Sequence, residues 1–261
     1  MRSGRPLVMG VVNVTPDSFS DGGQWFDRDA AIAHGLALIE EGADVVDVGG
    51  ESTRPGAAPV DEAEELRRVI PVVEALAADA RARISIDTRK PVVAERAIEA
   101  GATLLNDVSA SLAGVAAAAG GHVGYVAMHM RGTPETMQHD PRYDDVVREV
   151  RDFLVAKADE ARALGVGEVW IDPGIGFGKT GDHNLSVLRH LRVLVDTGYP
   201  VVIGTSRKRF LQRLLDAPAD DVLEGSLATS VAAMSAGAAM VRVHDVRAAA
   251  QAARIVGEAV A

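Results

Sequence analysis

Eight short apolar runs, separated by longer amphipathic stretches, predict an α/β chain folded as a single-domain (β/α)8 TIM barrel. The length agrees: 261 residues exceed the usual single domain but match the roughly 250 of such a barrel. The polar residues agree as well, because they gather where the apolar runs end. No linker, low-complexity tract or change of composition divides the chain, so residues 1–261 are read as one domain. An open doubly wound sheet is the alternative arrangement.

The runs are Leu7–Val14, Val45–Gly49, Ile84–Asp87, Leu104–Val108, Val123–Met130, Val169–Ile171, Val201–Gly204 and Met240–Val243. They are mostly continuous in Val, Ile and Leu, as parallel strands buried on both faces are. The first follows two arginines and imitates a signal peptide, but Asn13 and Thr15-Pro16-Asp17 break it and no A-x-A site follows. It is read as a buried first strand. Helical spacing appears in Asp29–Glu41 (Ile32, Leu36, Ile39), Glu62–Ala77 (Leu66, Val69, Ile70, Val73, Leu76), Tyr143–Leu164 and His183–Val195 (Leu185, Leu188, Leu191, Val195). Glycine follows several of these stretches, at Gly42, Gly101, Gly165, Gly198 and Gly237, where a helix commonly stops.

Composition narrows the function. The charge sum of 27 minus 37 gives −10, a poor basis for binding nucleic acid or an anionic membrane. An anionic ligand would need a local cluster of cations. The chain has no cysteine, which excludes disulfides, cysteine-bound zinc and thiolate catalysis and suits the cytoplasm. No apolar run approaches the roughly 20 residues of a membrane span.

Nearly every run ends in a polar group: Asn13, Glu51-Ser52, Asp87, Asn106-Asp107, His129, Asp172, Ser206-Arg207-Lys208, and Arg242 with His244. One such residue is commonly a cap. Eight together, at the strand ends that converge on one face of a barrel, predict an active site. Two chemistries are mixed there. Asp87, Asn106 and Asp172 suit a heterocycle with N–H donors, such as an aminopyrimidinone. Arg54, Arg207, Lys208, Arg209, Arg242 and His244 suit a phosphate or diphosphate. Arg242 and His244, two apart, point to one face. This division predicts that loss of Arg242 weakens binding of the anion and spares the ring. The Gly/Pro/Ser-rich stretches Thr15–Gln24 and Ser52–Ala58 are read as loops closing over the mouth.

The stretch IDPGIGFGKT (171–180) imitates a nucleotide-binding loop, G-x-x-x-x-G-K-[ST]. Its first glycine is replaced by Pro173, so it is read instead as a tight turn at the rim beyond Asp172.

These residues carry a resemblance that spans most of the chain. GVVNVTPDSFSDGG (10–23), DVGGESTRPGA (47–57), SIDT (85–88), NDVS (106–109), MHMRGTPETMQ (128–138), DPGIGFGKTGDHNL (172–185), GTSRKRF (204–210), LEGSLA (223–228) and VRVHDV (241–246) resemble, in order, the motifs of the dihydropteroate synthase family. The resemblance implies a (β/α)8 enzyme of folate synthesis. It would join 4-aminobenzoate to 6-hydroxymethyl-7,8-dihydropterin diphosphate, giving 7,8-dihydropteroate and diphosphate through a pterin cation. It implies that Asp87, Asn106, Asp172 and Lys208 contact the pterin, with Met128 and Phe177 lining its pocket and Asp87 and Lys208 catalytic. It implies Asn13 as the Mg²⁺ ligand, and Arg54, Arg242 and His244 at the diphosphate, with Thr53 also on the pterin substrate. Phe19, Pro55, Ser206 and Lys208 would surround 4-aminobenzoate, which sulfonamides mimic. The family implies a homodimer. A pterin-dependent methyl carrier of the same fold and a non-catalytic paralogue remain as alternatives. Neither needs the whole set of anion and metal positions.

Overall fold

The computed structural model describes residues 4–15, 24–52 and 57–260. Its strands are β1 (Leu7–Asn13), β2 (Val45–Gly49), β3 (Arg83–Asp87), β4 (Leu104–Asp107), β5 (Gly124–Met128), β6 (Val169–Asp172), β7 (Val202–Ile203) and β8 (Met240–Val243). All pair in parallel, in the order β6-β5-β4-β3-β2-β1-β8-β7. A parallel bridge between Ile171 and Val201 joins the two ends and closes the barrel.

The helices are α1 (Gln24–Glu41), α2 (Glu62–Ala77), α3 (Pro91–Glu99), α4 (Ala113–Ala118), α5 (Val146–Ala163), α6 (Gly181–Arg189), α7 (Arg192–Val195), α8 (Arg209–Leu215), α9 (Leu223–Ser235) and α10 (Val246–Val260). Local chemistry starts several of them. The Asp61 carboxylate accepts from the Ala63 amide at α2, and the Asp145 carboxylate accepts from Arg148 at α5. Thr180 and His183 form a reciprocal cap at α6, each satisfying a donor left free by the first helical turn. The single helix expected over His183–Val195 is two: His190 folds its ring back onto the Ser186 carbonyl and ends α6 before α7 begins.

Strand periodicity sorts the side chains. Val8, Val12, Val46, Val48, Ile84, Ile86, Leu105, Ile171, Ile203 and Val241 face the helices in the main core. Inside the barrel, Met9, Val45, Leu104, Val126, Trp170, Val202 and Met240 form a separate apolar layer near the strand starts. Two residues further along, five of these strands place Asp47, Asn106, Met128, Asp172 and Arg242 inward, while β1 has Val11 and the end of β7 has Gly204. The apolar layer is therefore the floor, and the next layer is the site. Arg83 and Glu168 pair at 2.7 Å below it, where Glu168 also accepts from the Trp170 indole.

Candidate active site

A cavity of about 1110 Å³ opens over the strand ends, at the upper end of the size of small-molecule sites. Every strand lends it a side chain at its end or just beyond: Asn13, Glu51 with Ser52, Asp87, Asn106, Met128, Asp172, Ser206 with Lys208, and Arg242 with His244. Phe177, from the loop after β6, also lines it. The structure thus gathers into one cavity each predicted site residue that it describes. Phe19, Thr53, Arg54 and Pro55 lie outside the described residues.

The electrostatic centre is an ion-pair array. Arg242 Nε lies 2.7 Å from Asp47 Oδ2, and its Nη2 lies 2.8 Å from Asp87 Oδ2. One guanidinium therefore serves two carboxylates. Asn106 Nδ2 donates to the same Asp47 oxygen at 3.0 Å. Because a carboxylate only accepts, this orients the Asn106 amide, whose carbonyl is left to offer to a ligand. Asp47 is fully buried, and its second oxygen has no hydrogen-bond partner. Burial pushes the Asp87 carboxyl up to about 7, against the pull of Arg242 and with help from Asp47. Burial alone would lower the Arg242 guanidinium, but Asp47 and Asp87 outweigh it and raise it.

This array lies across the expected division of the mouth into a ring half and an anion half. Arg242 is held against Asp87, so the same guanidinium borders both. His244 also departs from the expectation that it adds to the positive charge. Burial, then the charge of Arg242, lowers its ring to about 3. It is a neutral imidazole at ordinary pH. The His244 amide donates to Ser206 Oγ at 3.2 Å, and the same hydroxyl shares a hydrogen bond with His244 Nδ1 at 3.1 Å. A neutral imidazole carries one N–H, so His244 is a donor without charge.

Across the cavity, Asp172 is buried at the end of β6, and its Oδ1 accepts from the Gly174 amide at 2.7 Å. Burial raises its pKa, partly offset by that bond and by Lys208. The Lys208 ammonium lies 4.3 Å from the centre of the Phe177 ring, within cation–π range. The loop between them needs its glycines: at Gly174 and Gly178, with φ of 62° and 60°, an added Cβ would lie 2.0 Å from the His129 carbonyl oxygen and 2.5 Å from that of Arg131. The turn presses on the end of β5 more closely than any other residue allows.

Some polar strand ends do other work. Asp107 turns away from the cavity and accepts from Ser109, Ser111, Leu112 and the Tyr125 hydroxyl, which fixes the connection between β4 and α4. Arg207 pairs with Asp245 at 2.7 Å. Glu51 pairs with Lys90 and with Arg89 and accepts from the Val60 amide, so it ties together the two ends of the β2–α2 connection. Two residues escaped the sequence reading. Asp47 had a signal, an acid inside the apolar run VVDVG. Lys179 had been seen only as part of an imitation phosphate loop.

Residues 9–244 match the family described as pterin binding enzyme. The chain is 50% identical to the dihydropteroate synthase of Mycobacterium leprae, covering 96% of this chain and 92% of that protein. It is 45% identical to that of Escherichia coli K12, covering 96% and 90%. Among solved structures, it is similar to the Xanthomonas albilineans dihydropteroate synthase with 4-aminobenzoic acid, at a TM-score of 0.91 and 46% identity over 98% of this chain and 94% of that one.

Proposed function

The chain belongs to the dihydropteroate synthase family of pterin-binding enzymes, and from that membership we propose how its own residues carry out the family's condensation. In that reaction, 6-hydroxymethyl-7,8-dihydropterin diphosphate and 4-aminobenzoate give 7,8-dihydropteroate and diphosphate. The observation that carries the reading is the sorting of the cavity: acceptors Asp172, Asn106 and Asp87 from β6, β4 and β3, beside Lys208, Arg242 and His244 from the β7–β8 side.

Asp172 and Asn106 accept from the N–H groups of the pterin, between Met128 and Phe177. The methylene C–O bond breaks, and its electron pair leaves with the diphosphate. Arg242 and the neutral donor His244 face that charge, and Arg54 and Thr53 join them in the proposal. Asp87, anionic, favours the pterin cation that remains. Placed charges of this kind lower a barrier because they need no reorganisation. The amine of 4-aminobenzoate, held by Ser206 and Lys208 with Phe19 and Pro55, supplies the pair for the new C–N bond and loses its proton to diphosphate or water. A sulfonamide would compete for that place; the Yersinia pestis dihydropteroate synthase was solved with a sulfonamide drug.

Mg²⁺ fits this site only together with the substrate. No cluster of three His, Asp or Glu side chains that could hold a metal occurs among the described residues. Mg²⁺ commonly keeps waters and binds one or two protein groups plus substrate phosphates. Asn13 at the end of β1 lines the cavity and is the residue we propose to hold it. When bound, Mg²⁺ would neutralise charge on the diphosphate. We expect the purified protein to form dihydropteroate and release diphosphate only with both substrates present, and a chelator to stop turnover until Mg²⁺ is restored. Wild-type protein without turnover would refute the function. Full turnover in chelator would remove Mg²⁺ from it.

The partners we propose are the two small molecules and a second copy of the chain, with no nucleic acid, in the cytoplasm. No described helix is long and apolar enough to cross a membrane. For the homodimer, support comes from Leu214, Leu215 and Leu223, exposed at 64%, 48% and 40% where α8 meets α9. Light scattering after gel filtration should give twice the chain mass of 27.3 kDa; a monomer at micromolar concentration would overturn the dimer.

A further inference from the structure

We propose that Lys179 is a positioning residue for the pterin pocket: its buried ammonium is the centre around which the β6–α6 loop is wound, and it thereby places Asp172 and Phe177. The inference rests on the function read above, because it is the pterin half of the cavity that the loop borders.

Lys179 is 2% exposed. Its Nζ lies 2.9 Å from His129 Nδ1, 3.0 Å from the Phe177 carbonyl oxygen, 3.1 Å from that of Gly174 and 3.4 Å from that of His129. An ammonium has three hydrogens and no acceptor, and all four neighbours can accept. His129 can do so because burial, then the charge of Lys179, lowers its ring to about 3 and keeps it neutral. Among the described residues, no carboxylate forms an ion pair with Lys179. Burial pulls the lysine down to about 7, while Asp172 opposes that shift. A long-chain cation is thus taken out of water to bind backbone carbonyls, an arrangement with little to recommend it for stability alone.

What it holds explains its place. The Gly174 carbonyl that faces Lys179 belongs to the residue whose amide donates to Asp172 Oδ1. The Phe177 carbonyl belongs to the residue whose ring lies under Lys208. The His129 contacts anchor both to the end of β5, beside Met128. One ammonium therefore ties a pterin acceptor and an aromatic wall to the neighbouring strand. Outside tethers complete the loop: the Gly176 amide donates to Asn184, and the Tyr143 hydroxyl donates to the Gly178 carbonyl. The GKT of this loop is therefore not a phosphate device. Its lysine points inward, into its own loop.

Lys179→Met keeps a long unbranched side chain, one atom shorter, and removes every hydrogen it donates. It should raise the KM for pterin diphosphate, and its calorimetric Kd, about tenfold to a hundredfold, as buried acceptors deprived of a charged donor release the loop. The KM for 4-aminobenzoate at saturating pterin should change far less, a split that a general loss of stability would not produce. Lys179→Gln, with two donors on a shorter chain, should fall between. Folded Lys179→Met with wild-type affinity for pterin diphosphate overturns the proposal; if that variant does not fold, folded Lys179→Gln with wild-type affinity does so. The wild type decides independently of any variant. Below the Lys179 pKa of about 7, at about pH 5.5, its ¹⁵N-labelled lysines should show one slowly exchanging ammonium resonance that shifts when the pterin binds, and the absence of such a resonance also overturns the proposal. Turnover of the wild type in the same assay separates this outcome from a failure of the function itself.

Discussion

Asp87→Asn should lower kcat by roughly 10²–10³-fold, the range for loss of one preorganised electrostatic contact, while the protein stays folded. The substitution keeps the shape and removes only the charge that would face the pterin cation. The structure adds a second expectation. Asp87 and Asp47 share one cation, and Asp47 carries an oxygen without a partner. In the ligand-free enzyme burial disfavours the Asp87 charge first, and the neighbouring Asp47 adds to that against the pull of Arg242. The Asp87 carboxyl is raised from 3.8 to about 7, so the folded chain retains a proton that the unfolded chain has released between those values. Stability of the ligand-free enzyme should therefore fall as pH rises through that window. Asp87→Asn should flatten this fall and melt at or above the wild type at pH 8. Turnover near wild type removes Asp87 from its assigned role. A lower melting point at pH 8 contradicts the charge balance argued here.

Arg242→Ala should have the larger effect on the fold. It strands Asp47, fully buried, and Asp87 without the guanidinium between them. Removing one partner of a buried pair costs about 3–5 kcal/mol. Since Arg242 holds Asp87 as well as facing the diphosphate, affinity should fall for both pterin diphosphate and the free hydroxymethyl pterin. Asp87→Asn placed on top of Arg242→Ala should recover part of the lost stability, because one of the two stranded charges is gone; the double-mutant cycle measures that coupling. Titration calorimetry with both ligands and thermal melts of the four proteins test this. Unchanged affinity for the free pterin would restore the division of the mouth that composition alone suggested.

Much of the architecture was readable before any contact was known. The eight strands lie within two residues of the eight apolar runs, and Glu62–Ala77 is α2 to the residue. Burial on both faces demands continuous apolar sequence, and that demand is local, so it leaves a mark along the chain. Asp87, Asn106, Asp172 and Arg242 were legible for the same reason: each interrupts such a run where nothing apolar is missing. The resemblance then attached roles to these positions.

The sequence by itself determined where the strands run, that their ends carry an active site, and which residue types meet there. Tertiary structure alone decided their state. Arg242 meets Asp47 across 195 residues and Asp87 across 155, which joins the two halves of the mouth that spacing kept apart. His244 is neutral because it is buried beside Arg242. Lys179 faces its own loop because Gly174 and Gly178 let that loop close upon β5. Asp107, equal in the sequence to its neighbour Asn106, turns to hold the amides of the connection between β4 and α4. Charge state and partnership depend on burial and on distance through space, and neither is a property of order along the chain.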